Sequence, residues 1–192
     1  MSSFHPSFLK RFRPSPAEVA SLQLLAAARG RERLYLAAAP AALDSLRESA
    51  MVESVESSNR LEGIVSTHAR VQGLVAKSLR PKSRDESQIA GYRDALALIH
   101  APRTRPDMGL ESLLRLHALL SRGEPGAGRI KTRDNLIVEL AQDGRRQVRF
   151  RPVEAKATPA ALRQWVLAHQ AAAGESMDPV LRSGLLVLDL TC

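Results

Sequence analysis

Apolar residues recur at helical spacing along most of the chain and switch to alternation in one place. Val19, Leu22, Leu25 and Ala26 form a stripe at three- and four-residue intervals, which predicts a helix with one packed face. It opens at Ser15-Pro16-Ala17-Glu18, a capping box with proline at the first helical position. Gly30 and Pro40 are expected to punctuate the stretch behind it. From Ala41 to about Leu61 the helical pattern returns, with Leu43, Leu46, Ala50 and Val55 as candidates for burial. Gly63 suits the left-handed residue that follows a helix end. Ser66 is expected to cap a helix to about Leu79, broken by Arg80-Pro81-Lys82. Ser83 to Glu86 is a second capping box, opening a helix to about His100. Pro102 and Pro106 mark a linker. Asp107 then starts a helix with Leu110, Leu113, Leu114 and His117 on one face.

The period changes after a glycine-rich loop at 123–128. Leu136-Ile137-Val138 is a β-type run, and Val148 and Phe150 alternate with polar neighbours. Asp143-Gly144 lies between them, so the segment reads as a β-hairpin. Thr158-Pro159 is expected to cap a helix through about Ala173, with Leu162, Trp165 and Val166 packing. Asp178-Pro179 caps a last helix, nearly all apolar through Leu190, which predicts a central position. Residues 1–14 read as a loose basic leader with Phe4, Phe8 and Phe12 spaced at four, a spacing that could dock on the helices behind it.

A chain of 192 residues bounds this to one domain, or one domain with a helical extension. Hydrophobic residues make up 44% and charged residues 25%, a globular composition, but with four Phe, two Tyr and one Trp the core falls to Leu, Val and Ala. The net charge of +8 suits an anionic partner and suits an arginine-rich background equally well. One cysteine, Cys192, excludes an internal disulfide framework or a cysteine zinc site. No apolar run is long enough to span a membrane, no signal-peptide core follows the N-terminus, and a cytoplasmic setting is expected. The glycines of 123–128 lack the spacing of a Walker-type phosphate loop.

Five segments in order then carry a family resemblance. They are Ser58-Asn59-Arg60-Leu61-Glu62-Gly63, Leu113 to Leu120, Gly128-Arg129-Ile130-Lys131-Thr132-Arg133-Asp134-Asn135-Leu136-Ile137, Phe150-Arg151-Pro152, and the apolar helix ending Leu188-Asp189-Leu190-Thr191-Cys192. The first resembles the [S/T]-x-x-x-E-[G/N] signature of the inhibitory helix of Fic (filamentation induced by cAMP) proteins. The others resemble that family's leucine-and-histidine helix, its G-R-[YF]-R-T-x-x-N-x-I stretch, the close of its flap and the helix that leads into its catalytic loop. The resemblance spans residues 15–192. The loop itself, H-P-F-x-[D/E]-G-N-[G/K]-R, is absent, and none of the five histidines is followed by Pro-Phe.

The resemblance implies a mostly α, Fic-like helical bundle with one β-hairpin flap, truncated at the C-terminus. Residues 15–105 would be an N-terminal helical region whose inhibitory helix is about 41–62, and 106–192 an incomplete core whose flap is about 135–152. It implies protein adenylyltransferase chemistry, AMP moved from ATP with Mg²⁺ onto a target Ser, Thr or Tyr hydroxyl, in a chain that holds no catalytic residue and is inactive as it stands. Ser58, Glu62 and Gly63 would carry the inhibitory role, with an arginine of the missing loop as the partner of Glu62. Asn135, Leu136, Ile137, Val138, Val148, Phe150 and Pro152 would form the flap, which docks a target segment by strand addition. Gly128, Arg129 and Thr132 would shape its approach.

Plainer readings stand beside these. Glu62 alone is a solvated glutamate at a helix end, where the dipole gives a carboxylate no help. Ser58 either hydrogen-bonds within its helix or packs as a small side chain. His117 reads as a satisfied core or boundary histidine, and Trp165 as packing. The stretch 129–151 holds seven basic residues against three acids, which fits an electropositive docking surface and solvated strand edges equally. The alternative function is a non-catalytic protein-binding or regulatory module. A basic nucleic-acid binder is disfavoured, since aromatics are few and no recognition-helix motif occurs. Self-association is expected if the last helix is left uncovered.

Overall fold

The computed structural model describes residues 3–38, 40–101, 106–141, 144–173 and 177–191. Among them the chain is mostly helical with one small antiparallel hairpin. The helices are α1 (Pro6–Leu9), α2 (Pro16–Ala38), α3 (Pro40–Leu61), α4 (His68–Val75), α5 (Arg84–Ile99), α6 (Leu110–Leu120), α7 (Thr158–Ala173) and α8 (Pro179–Thr191). The strands β1 (Ile137–Leu140) and β2 (Arg146–Phe150) lie between α6 and α7. Two compact units result: residues 13–106 with 115–128, and residues 1–12 with 107–114 and 129–192.

The first unit is organised by α3, α4 and α5. Val55, Val71, Leu74 and Ile89 are fully buried together, with Met51, Val52, Ile64, Val75, Tyr92 and Leu96 packed around them. Burying side chains of this size contributes roughly 1.5–3 kcal/mol each. Gly91 lets α6 approach α5, because a Cβ there would lie 2.0 Å from the Leu119 carbonyl oxygen. Asp94 of α5 holds the segment after α6 by accepting from Arg122 at 2.7 Å, and Arg84 pairs with Glu124. Burial alone would raise the Asp94 pKa, but hydrogen bonds from Arg122 and Arg93 outweigh it and hold the carboxyl below its usual range.

Local signals set the element starts. Ser15 and Glu18 form the full reciprocal cap, with bonds of 2.6 and 3.3 Å. Ser83 accepts from the Glu86 N–H at 3.1 Å, while the Glu86 carboxylate turns to the Lys82 N–H and to Arg70. That Arg70 pairing, at 2.8 and 2.5 Å, is the first cause that lowers the Glu86 pKa.

Several expectations give way. Gly30 does not interrupt α2; strong helix formers around it absorb a cost of about 1 kcal/mol relative to alanine. The stripe of α2 is also mostly uncovered, with Val19 and Leu25 exposed and Leu22 half-buried, and Leu46 of α3 is exposed. Thr67, not Ser66, caps α4, by accepting from the Arg70 N–H at 3.3 Å. That helix stops at Val75 because the chain turns through Lys77 in the left-handed region and folds Leu79 back over Gly73. The next helix starts at Leu110, while the Asp107 carboxylate takes the Ser112 hydroxyl at 2.7 Å. Thr158 is the first residue of α7 and no cap; its hydroxyl donates to the Glu154 carbonyl at 2.9 Å.

The second unit overturns two more. The leader is tied down: buried Ser3 donates its N–H to Asp189 at 2.6 Å and its hydroxyl to the Leu185 carbonyl at 3.0 Å. Pro6 and Leu9 face Ala168 and Ala172 of α7 across a shallow recess. The apolar helix α8 is not central, since Leu185 is buried but Val180, Val187, Leu188 and Leu190 are exposed. An apolar sequence shows that a helix can be buried; it does not supply the surfaces that would bury it. Trp165 packs as expected, and its indole N–H donates to the Leu186 carbonyl at 3.0 Å.

Candidate functional site

The end of α3 is built by a Schellman motif. Gly63 takes φ +78°, where an L side chain would be strained. Its N–H bonds the Arg60 carbonyl at 3.0 Å, and the Ile64 N–H bonds the Asn59 carbonyl at 2.9 Å. Ile64 then packs on the core cluster, so the turn is anchored by burial as well as by hydrogen bonds. Glu62 sits just past the last helical residue. It is exposed and makes no ion pair or side-chain hydrogen bond among the described residues.

Ser58 lies one turn earlier. Its hydroxyl accepts from the Tyr92 O–H of α5 at 2.8 Å, a cross-helix bond and neither of the two local alternatives. Asn59 is the buried polar residue of the hexamer, at 6% exposure, and donates to the Val55 carbonyl at 2.7 Å. Sequence reasoning passed over Asn59, although it falls four residues after buried Val55 and so on the same face. It also passed over a groove of 760 Å³ between α3 and α4, lined in part by Arg47, Glu53, His68 and Gln72. His68, one of the lining residues, also makes a 2.7 Å contact with Glu56.

The hairpin starts later than expected. Asn135 and Leu136 precede β1, and Lys131 donates to the Asn135 side chain at 2.6 Å. Pro152 follows β2 because proline cannot donate to a ladder. Val138 pairs with Val148, Glu139 with Gln147 and Leu140 with Arg146, and a bulge beside Ile137 sets that residue against Phe150. Gly144 turns the chain at φ +80°; Asp143 lies outside the described residues. Phe150 is half-buried and the rest of both strands is exposed. At the approach, Gly128 takes φ +71° and donates its N–H to His117 Nδ1 at 3.1 Å. His117 is therefore an exposed brace for the loop, not a core residue. Arg129 and Thr132 are exposed.

Ser58 to Gly63 belongs to the unit of α3–α5, and Ile137 to Phe150 to the other. No group of three or more His, Cys, Asp or Glu among the described residues is placed to hold a metal ion, and the sequence has no acid-Gly-Asn turn after a His-Pro-Phe. Among the described residues no helix is long and apolar enough to cross a membrane. No family model matches the chain, and no curated protein matches it.

Proposed function

We propose that this chain carries the inhibitory helix and the target-docking hairpin of a Fic-type protein adenylyltransferase, without its catalytic centre. The observation that supports this reading most is the state of Glu62. A Schellman motif, a packed Ile64 and the Tyr92–Ser58 bond fix the helix end, yet its carboxylate is left exposed and unpaired among the described residues. A carboxylate held in place with no partner is suited to close on a cation supplied from elsewhere. In the family this chain resembles, that cation is an arginine of the catalytic loop. The 192 residues hold no such loop, so the chain alone transfers no AMP.

The test is a protein extended beyond Cys192 by a segment bearing the H-P-F-x-D-G-N-G-R loop and its following helices, assayed with ATP and Mg²⁺ by intact mass. Glu62→Gly should raise AMP addition about tenfold or more, the effect of one charge-assisted contact worth about 1.5–3 kcal/mol. The 192-residue chain should show none. Transfer by the unextended chain, or an extended protein indifferent to Glu62→Gly, overturns the reading. A non-catalytic binding module is the second reading, favoured by the exposed hairpin. It shares the docking surface and predicts indifference to Glu62.

A further inference from the structure

The long helix α2 carries an apolar stripe that its own chain leaves uncovered. Among the described side chains of α2, Leu22 is half-buried and the others are exposed. A single residue separates the end of α2 at Ala38 from the start of α3 at Pro40. A reversal between two helices takes about 2–5 residues, so α2 cannot double back onto α3. A helix in water draws most of its stability from a packed face. The 23 residues of α2, with Gly30 among them, stand without one.

The matching surface lies on α3 and α4. Half-buried Met51 and Val52 line the groove there together with Val75 of α4, and exposed Glu48 borders them. The stripe of α2 is apolar at Leu22, Leu25 and Ala26 and cationic one turn on, at Arg29. Set antiparallel to α3, it meets the groove in one register, with Leu25 opposite Val52, Ala26 opposite Met51 and Arg29 opposite Glu48. All three pairs are centred on the same point, the junction of α2 and α3. That is the condition for a twofold axis, where residue i of one copy meets residue j of the other and j meets i. Arg29 and Glu48 make no ion pair among the described residues, so each is open to the other.

We propose that two copies of this chain pair as a twofold dimer in which α2 of each lies antiparallel in the α3–α4 groove of the other, Leu25 and Ala26 on Val52 and Met51 and Arg29 against Glu48. An unrelated helix would fill the groove and leave α2 bare. A second copy covers both surfaces at once and makes every contact twice. α2, α3 and α4 belong to one compact unit, so the pairing uses no surface of the hairpin and stands apart from the adenylyltransferase reading.

The test is the mass of the 192-residue chain in solution by analytical ultracentrifugation, followed by an exchange of charges. The unaltered chain should be dimeric at micromolar concentration. R29E and E48R should each weaken the dimer about tenfold or more, since each sets like charges together twice, and R29E/E48R should restore it. Circular dichroism should be unchanged in all three. Disulfide trapping on a Cys192→Ser background then identifies the partner. A26C and M51C chains expressed together should give a cross-linked dimer under mild oxidation, and neither should do so alone. A monomer, a dimer indifferent to R29E, or a charge-swapped double variant that stays weak overturns the proposal. A monomeric A26C/M51C variant closed by an internal bond overturns it as well, by showing α2 folded back on its own chain. Should the charge variants misfold, the co-expressed cysteine chains still decide.

Discussion

Leu74 and Leu140 are the same residue in opposite circumstances. Leu74 sits in α4 at 0% exposure, closed in by Val55, Val71 and Ile89; Leu140 ends β1 at 69% exposure. One region uses its leucines to hold helices together. The other leaves aliphatic side chains and both backbone edges in water, a costly arrangement for a sheet unless something else covers it. The comparison separates two circumstances of apolar sequence, packed in the α3–α5 unit and uncovered at the hairpin.

The largest break in that comparison is Leu74→Ala. Truncating a fully buried leucine removes its transfer free energy and leaves a cavity, about 2–5 kcal/mol in all. The Arg93 guanidinium also bonds the Leu74 carbonyl, so the backbone there is braced and cannot easily collapse into the space. Chemical denaturation should show a lower midpoint with an unchanged slope. A loss below about 1 kcal/mol would mean that the cluster is not the cohesive centre of its unit.

What was legible in the sequence follows the range of the interaction that made it. The Ser15 and Ser83 caps, the Gly63 helix end and the hairpin turn at Gly144 are settled within a few residues, and each stands where the pattern put it. Contacts between distant segments were not legible. Tyr92 reaches Ser58 across 34 residues, and Ser3 reaches Asp189 across 186. No periodicity encodes such pairings, so the phenylalanine spacing of the leader allowed docking without naming its partner, and Ser58 passed for local. Burial failed in the same way for α8, whose composition could not say whether a covering surface exists. At the candidate site the cap that positions Glu62 was readable, and the Tyr92 brace and buried Asn59 were not.

A smaller effect should sharpen the contrast from within the hairpin's own unit. His169 on α7 is 8% exposed, and its Nδ1 has no hydrogen-bond partner among the described residues. Burial lowers its pKa, and Arg182 lowers it further. The folded state therefore takes up its proton at lower pH than the unfolded chain, whose histidine titrates near about 6.5. Stability is complete above that value and declines as pH falls below it, until the folded-state pKa is reached. Trp165, one turn away and the chain's one tryptophan, reports the event by fluorescence. Melting followed at Trp165 should drop between neutral and mildly acidic pH, and His169→Leu should lessen that drop. A pH dependence identical in the variant would assign the effect to other groups. The shift should stay below that of Leu74→Ala, since one proton is at stake and no cavity opens.

The smallest effect on stability belongs to Leu140→Ser. With the side chain mostly in water, little buried area is lost, and the change should stay within about 0.5 kcal/mol, as for other exposed positions. Serine is the weaker strand former, so the remaining cost is local to the hairpin. Leu140 stands on β1 opposite Arg146, so it has no apolar residue directly across the ladder to lose. The denaturation midpoint should therefore be nearly unchanged. A destabilisation approaching that of Leu74→Ala would show that the hairpin's aliphatic face is already packed in solution.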